Sequence, residues 1–152
     1  MMYDRFDMYA IGPLHLLVLA VEFVLREGRD VTLIGCGAIL KEALAAAEEL
    51  AREGMRAEVI DVATLKPYDE ATILASVAKT GRWVIVHEAA RTGGFGGEIA
   101  ALIGERGLTS LLAPIARVTG YDTVIPLPRL EQSYIPSVGR IIETVRRVCR
   151  FS

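Results

Sequence analysis

From residue 31 onward, short apolar runs alternate with longer stretches whose apolar positions recur every three or four residues. VTLIG (31–35) is a continuous β-branched run, the pattern of a strand buried on both faces. AILKEALAAAEELARE (38–53) is rich in Ala, Leu and Glu and predicts a helix stopped by Gly54. AEVIDV (57–62) predicts the next strand, and Asp69 is placed to cap a helix over about 69–79 that Gly81 ends. WVIVHE (83–88) follows as a strand, then a glycine-rich loop and a helix over about 95–106 closed by Gly107. A further strand within APIARVTG (113–120), a Pro-punctuated connection over 126–136 and an amphipathic helix over 137–150 complete the chain. This alternation predicts an α/β three-layer sandwich with a mostly parallel sheet. Ahead of it, VEFVL (21–25) joins VTLIG through REGRD. That link predicts a hairpin adding one antiparallel strand, for a sheet of about five strands.

Composition narrows the function classes. A chain of 152 residues with 52% hydrophobic residues makes one domain with ample material for a core. The net charge of -2 gives no basic stripe for nucleic acid. Cys36 and Cys149 are the only two cysteines and lie far apart, which predicts free thiols and a cytoplasmic setting. The apolar run LHLLVLAVEFVL (14–25) is too short for a membrane span, and Asp4 and Asp7 beside Arg5 do not make a signal-peptide start. The expectation is that this run covers another protein surface, and so that the chain self-associates.

HEAARTGGFGG (87–97) is the segment richest in candidate chemistry. It lies beyond the carboxyl end of a predicted parallel strand, where open α/β sheets place their ligands. A glycine-rich loop entering a helix can bind an anion through backbone N–H groups, with Arg91 adding a bidentate contact. The alternative is that the glycines serve close backbone approach. His87 and Glu88 are adjacent in a strand and project to opposite faces, so they do not form a dyad by themselves. The loop lacks the Gly-Lys-Ser/Thr ending of a phosphate-binding P-loop, and GCGAIL (35–40) lacks the third glycine of a dinucleotide fingerprint. Read this way, the residues reach an α/β domain with a His-Glu-Arg glycine loop at the sheet's carboxyl edge.

Several stretches together resemble one family: VLREGRDVTLIGCG (24–37), DVATLKPYDEATILASVAKTGR (61–82), HEAARTGGFGGEIA (87–100), APIARVTGYDT (113–123) and LEQSYIP (130–136). In this order they are similar to the C-terminal domain, also called the transketolase C-terminal domain, of the β subunits of thiamine diphosphate-dependent 2-oxo acid dehydrogenases. These are the first components of the pyruvate, branched-chain 2-oxo acid and acetoin dehydrogenase complexes. The resemblance covers about residues 24 to 150, so the chain divides into an atypical segment 1–20 and a domain 21–152.

The resemblance implies an assembly domain. Thiamine diphosphate and Mg²⁺ would be bound in the assembled enzyme, not by this chain, because the α subunit holds the diphosphate and the β subunit's N-terminal domain activates the pyrimidine. No residue here is assigned a catalytic, cofactor-binding or metal-binding role. His87, Glu88, Arg91, Gly93, Gly94 and Phe95 would lie at a subunit interface, and the α subunit is an expected partner. Asp122, Phe151 and the carboxylate of Ser152 would dock the lipoyl-bearing acyltransferase component. Cytoplasm, or mitochondrial matrix in a eukaryote, is the expected place. The sequence departs from the family where Ala63 replaces an Arg, Ala90 a Pro and Cys36 an aromatic residue. Two alternatives stand beside it: a stand-alone non-catalytic interaction module, and a small-molecule or nucleotide sensor at the sheet edge.

Overall fold

A computed structural model describes residues 23–151. The first 20 residues, most of the apolar run 14–25, and Ser152 lie outside the described residues. Five strands, β1 (Phe23–Arg26), β2 (Val31–Gly35), β3 (Ala57–Asp61), β4 (Trp83–Ala90) and β5 (Ala116–Gly120), form one sheet in the order β1-β3-β2-β4-β5. Helices α1 (Leu40–Arg52), α2 (Glu70–Thr80), α3 (Gly96–Arg106), α4 (Glu131–Tyr134) and α5 (Val138–Cys149) complete it. All pairings are parallel except β1 with β3. The expected three-layer sandwich is therefore observed.

Strand periodicity sorts the core into two layers. Val31, Leu33, Ala57, Val59, Val84 and Val86 pack with α1 and α5 on one face. Ile34, Ile60, Trp83 and Ile85 pack with α2 and α3 on the other. The chain moves one way along the sheet through α1 and back through α2. Because parallel crossovers are right-handed, the two helices must cover opposite faces. The reversal falls between β2 and β4, which places a topological switch point at Cys36 and His87.

Helix ends follow the sequence signals. Asp69 caps α2 by accepting from the Thr72 N–H at 3.1 Å, and Gly81 ends it with a left-handed φ of 62°. Ser137 caps α5 through the Arg140 N–H. The helix expected from residue 38 begins instead as a short 3-10 turn, Gly37–Ile39.

The predicted hairpin is corrected. β1 does not pair with β2; β3 inserts between them, with Phe23 opposite Asp61 and Val24 opposite Ile60. Residues 27–30 instead cross the start of β3, held by Arg29 and Asp30 N–H groups donating to the Arg56 carbonyl, each at 3.1 Å. The link read as a tight turn has to span two strand spacings, roughly 10 Å, which four or five extended residues reach comfortably. The connection over 126–136 also contains helical turns that its prolines concealed, Pro128–Leu130 and Glu131–Tyr134.

One polar cluster lies inside the α2 layer. Glu58 on β3 is 1% exposed; Ser76 donates to its Oε1 and Lys79 is ion-paired with its Oε2. Thr32 on β2 shares hydrogen bonds of 2.8 Å with both Ser76 and Thr80. The exposed rim of the cluster is Glu27, which accepts from Lys79 at 2.9 Å. Among the described residues no helix is long and apolar enough to cross a membrane.

Candidate functional site

The carboxyl ends of the parallel strands carry Cys36, Asp61, His87 and Glu88. The crevice at the switch point is nearly filled. Gly35, Cys36, His87, Phe95 and Gly96 surround a void of about 10 Å³, no more than a single water would need. Phe95 enters from the glycine loop and meets the Tyr68 ring edge-on, with centroids 5.9 Å apart. A ligand of metabolite size does not fit between β2 and β4.

The titratable groups here are tuned by burial. Burial pushes the Cys36 thiol up, and the nearby Asp61 and Glu88 add to it, so the thiol stays protonated and is a poor nucleophile. Burial likewise raises the Asp61 carboxyl. The His87 imidazole is pushed down by burial, against a smaller upward pull from Glu88. Its Nδ1 is buried without a hydrogen-bond partner among the described residues.

The glycines have specific reasons. Gly93 has φ 73°, a left-handed conformation that side chains rarely adopt. A Cβ on Gly94 would stand 2.5 Å from the Ala90 carbonyl oxygen and 3.2 Å from His87 Nδ1. One on Gly96 would come within 3.0 Å of Ile85 Cγ2. The loop therefore folds back onto its own strand and imidazole, so these glycines answer to packing within the chain.

Because His87 is held neutral, folding releases its proton wherever the unfolded chain would bind one. The sign is therefore fixed. Its contribution to stability is complete above the ordinary histidine value of about 6.5 and is lost as pH falls from there through the lower folded value. Denaturant titrations of the native protein should show declining stability over that window, and His87→Gln should flatten the decline. An unchanged slope would refute it.

Asp122, two residues beyond β5, clasps the loop. It accepts from the Thr92 N–H and the Thr92 hydroxyl, each at 2.8 Å, and these bonds hold its carboxyl below the usual range. Sequence reading expected Asp122 to dock a partner. Its oxygens bridge to a loop 30 positions away. α5 starts beside the end of β5, where Arg140 donates to the Thr119 carbonyl at 2.8 Å. It ends near α1, where Cys149 Sγ lies 3.7 Å from Met55 Sδ. Half-exposed Phe151 follows that far end of α5.

Arg117 on β5 was not singled out in the sequence, where it read as one residue of a strand. Its Nη1 donates to the Arg91 carbonyl at 3.2 Å, and Arg91 Nη1 returns a bond of 3.4 Å to the Arg117 carbonyl. Together with Thr92, Gly93, Gly94, Phe95, Gly97 and Glu98 they border an open hollow of about 570 Å³.

Next to the loop, residues 121–130 leave the sheet as an apolar strap. Val124 is 88% exposed, Ile125 72%, Leu127 81% and Leu130 61%. Its root is fixed by Tyr121, which stacks under Arg140 at 4.6 Å and meets Tyr134 edge-on. The strap is thus a contiguous run of exposed apolar side chains beside the latched loop.

The family model for "Transketolase, C-terminal domain" matches residues 22–141. The chain belongs to the transketolase C-terminal domain family. It is 47% identical over 128 residues to the pyruvate dehydrogenase E1 component subunit beta of Staphylococcus epidermidis, covering 84% of this chain and 39% of that one. The corresponding subunit of Bacillus subtilis is 43% identical with the same coverage. A solved structure, a split gene transketolase in an inactive β4 tetramer, superposes with a TM-score of 0.77 at 29% identity, covering 87% of this chain and 43% of that chain. The chain thus spans about two fifths of the length of the curated relatives it matches.

The family implies thiamine diphosphate and Mg²⁺. Among the described residues no three His, Cys, Asp or Glu side chains converge in a group that could hold a metal ion. The switch-point void is also far too small for the cofactor. The residues at the switch point therefore do not fit the metal-bound cofactor.

Proposed function

We propose that this chain acts as the C-terminal assembly domain of the β subunit of a thiamine diphosphate-dependent 2-oxo acid dehydrogenase, of the pyruvate dehydrogenase type. The observation that carries the reading is the 47% identity to a pyruvate dehydrogenase β subunit over 84% of this chain. In that role it supplies interface, and the cofactor is bound by other parts of the enzyme. The latched loop with His87, Glu88, Arg91, Gly93, Gly94 and Phe95 faces the α subunit, and the exposed strap gives the apolar area such a contact requires. The acyltransferase component is the second partner. Asp122, exposed and still offering lone pairs, would meet it together with Phe151 and the carboxylate of Ser152. A cytoplasmic setting goes with this reading.

The experiment is co-expression of the chain with an α subunit and a β-subunit N-terminal domain, followed by affinity capture. The expected outcome is a complex that Leu127→Asp and Ile125→Asp weaken, with the isolated chain showing no Mg²⁺-dependent uptake of thiamine diphosphate by calorimetry. Micromolar, Mg²⁺-dependent cofactor binding to the isolated chain would overturn the reading, as would capture indifferent to both substitutions.

A further inference from the structure

We propose that Arg91 and Arg117 form a binding site for the phosphate group of a small molecule, seated in the open hollow beside the glycine loop. The proposal goes beyond the assembly role and does not depend on it. Two guanidinium groups from different elements, one on the loop after β4 and one on β5, border the same 570 Å³ space. Each is anchored to the other's main chain through a single Nη1 at 3.2–3.4 Å. That leaves most of each donor fork unused, because a guanidinium carries five N–H groups. Among the described residues neither forms a salt bridge.

Part of the lining suits an oxyanion. A Cβ added at Gly93 would meet nothing within 4 Å, so an anion can approach the backbone there without obstruction. A Cβ added at Gly97 would stand 3.5 Å from Arg117 Nη1, which sets that guanidinium beside the glycine floor, and the Gly97 N–H is already given to the Gly94 carbonyl at 2.9 Å. The floor itself is held in shape by the Asp122 bonds to Thr92, so the anchoring does not have to form when the ligand arrives. Paired planar forks match the oxygens of phosphate bidentately, and a lysine pair would not. Glu98 is the one acid on the wall. It lowers affinity for a bare anion and offers an acceptor to a hydroxyl on the same ligand, which selects a hydroxylated phosphate compound over a simple dianion.

The test uses the full 152-residue chain with inorganic phosphate, pyrophosphate and acetate as probes, followed by calorimetry and amide chemical shifts. Saturable pyrophosphate binding is expected without added Mg²⁺, with shifts centred on Gly93, Gly94 and Gly97. Loss of one charge-assisted fork should raise Kd about tenfold in Arg91→Ala and in Arg117→Ala, with partial recovery in the Lys variants. Glu98→Gln, on an exposed side chain, should tighten pyrophosphate binding by roughly two- to threefold through removal of a like charge. That variant decides the question even if an Arg variant folds poorly. No saturable binding, equal binding of acetate and phosphate, or Kd values indifferent to Glu98→Gln would each overturn the site. Failure of α-subunit capture would leave these titrations unaffected.

Discussion

Glu58→Ala should be the most destabilising single change at a polar position, by about 3 kcal/mol, at the low end for removing one partner of a buried pair. Three losses combine. The carboxylate's bond from Ser76 disappears, its ion pair with Lys79 disappears, and a void opens between β3 and α2. The low end applies because Lys79 is 40% exposed and keeps Glu27 as a partner, while Ser76 keeps Thr32. For a domain of this size that amounts to roughly 10 °C in Tm. Glu58→Gln should cost less, since the amide still accepts from Ser76, and Glu58→Met should fall between them because volume is retained and the three hydroxyls still satisfy one another. Thermal and urea melts of the three variants check the order. A Glu58→Ala variant within measurement error of the native protein would show that the cluster is not a stabilising one.

The second large effect belongs to Gly28→Ala. Gly28 lies where residues 27–30 pass over the start of β3, and a Cβ there would stand 2.1 Å from the Glu58 nitrogen and 2.3 Å from the Ala57 carbonyl carbon. Both obstacles are backbone of a buried strand, so the link itself must lift. Lifting it breaks the Arg29 and Asp30 bonds to the Arg56 carbonyl and the Asp30 carboxylate's bond from the Arg56 N–H. The expected cost is about 3 kcal/mol, the upper range for a forced steric insertion. It should also be local: amides of β1 should exchange much faster, while those of β4 and β5 keep their protection. Uniform loss of protection along all five strands would contradict the crossing described here.

Much of the architecture was readable in advance, and the reason is periodicity. VTLIG and WVIVHE are continuous apolar runs because both faces of their strands are covered, and 38–53 repeats at helical spacing because one face is covered. Caps such as Asp69 and Ser137 act on neighbours three residues away, so their role is contained in local sequence. The resemblance carried by HEAARTGGFGGEIA and its companions supplied the family on top of that.

The candidate site was legible only in part. His87, Arg91 and the glycines stood out, but Arg117 did not, since a charged residue in a strand carries no mark of what faces it across the sheet edge. The Asp122–Thr92 latch joins residues 30 positions apart, and no local pattern encodes that meeting. The gathering of Glu58, Ser76, Thr32, Thr80 and Lys79 escaped for the same reason: each is unremarkable alone, and only strand order brings three elements to one point.

What the sequence by itself determined was therefore the identity and order of the elements, their buried faces and the family. Those depend on contacts between near neighbours and on side-chain alternation. Which strand stands beside which was decided by tertiary structure. Right-handed crossovers and the demand that β3 be covered on both edges placed it between β1 and β2, against the short link that suggested a hairpin. From that choice follow the switch point, the filled crevice under Phe95 and the two arginines over the glycine loop.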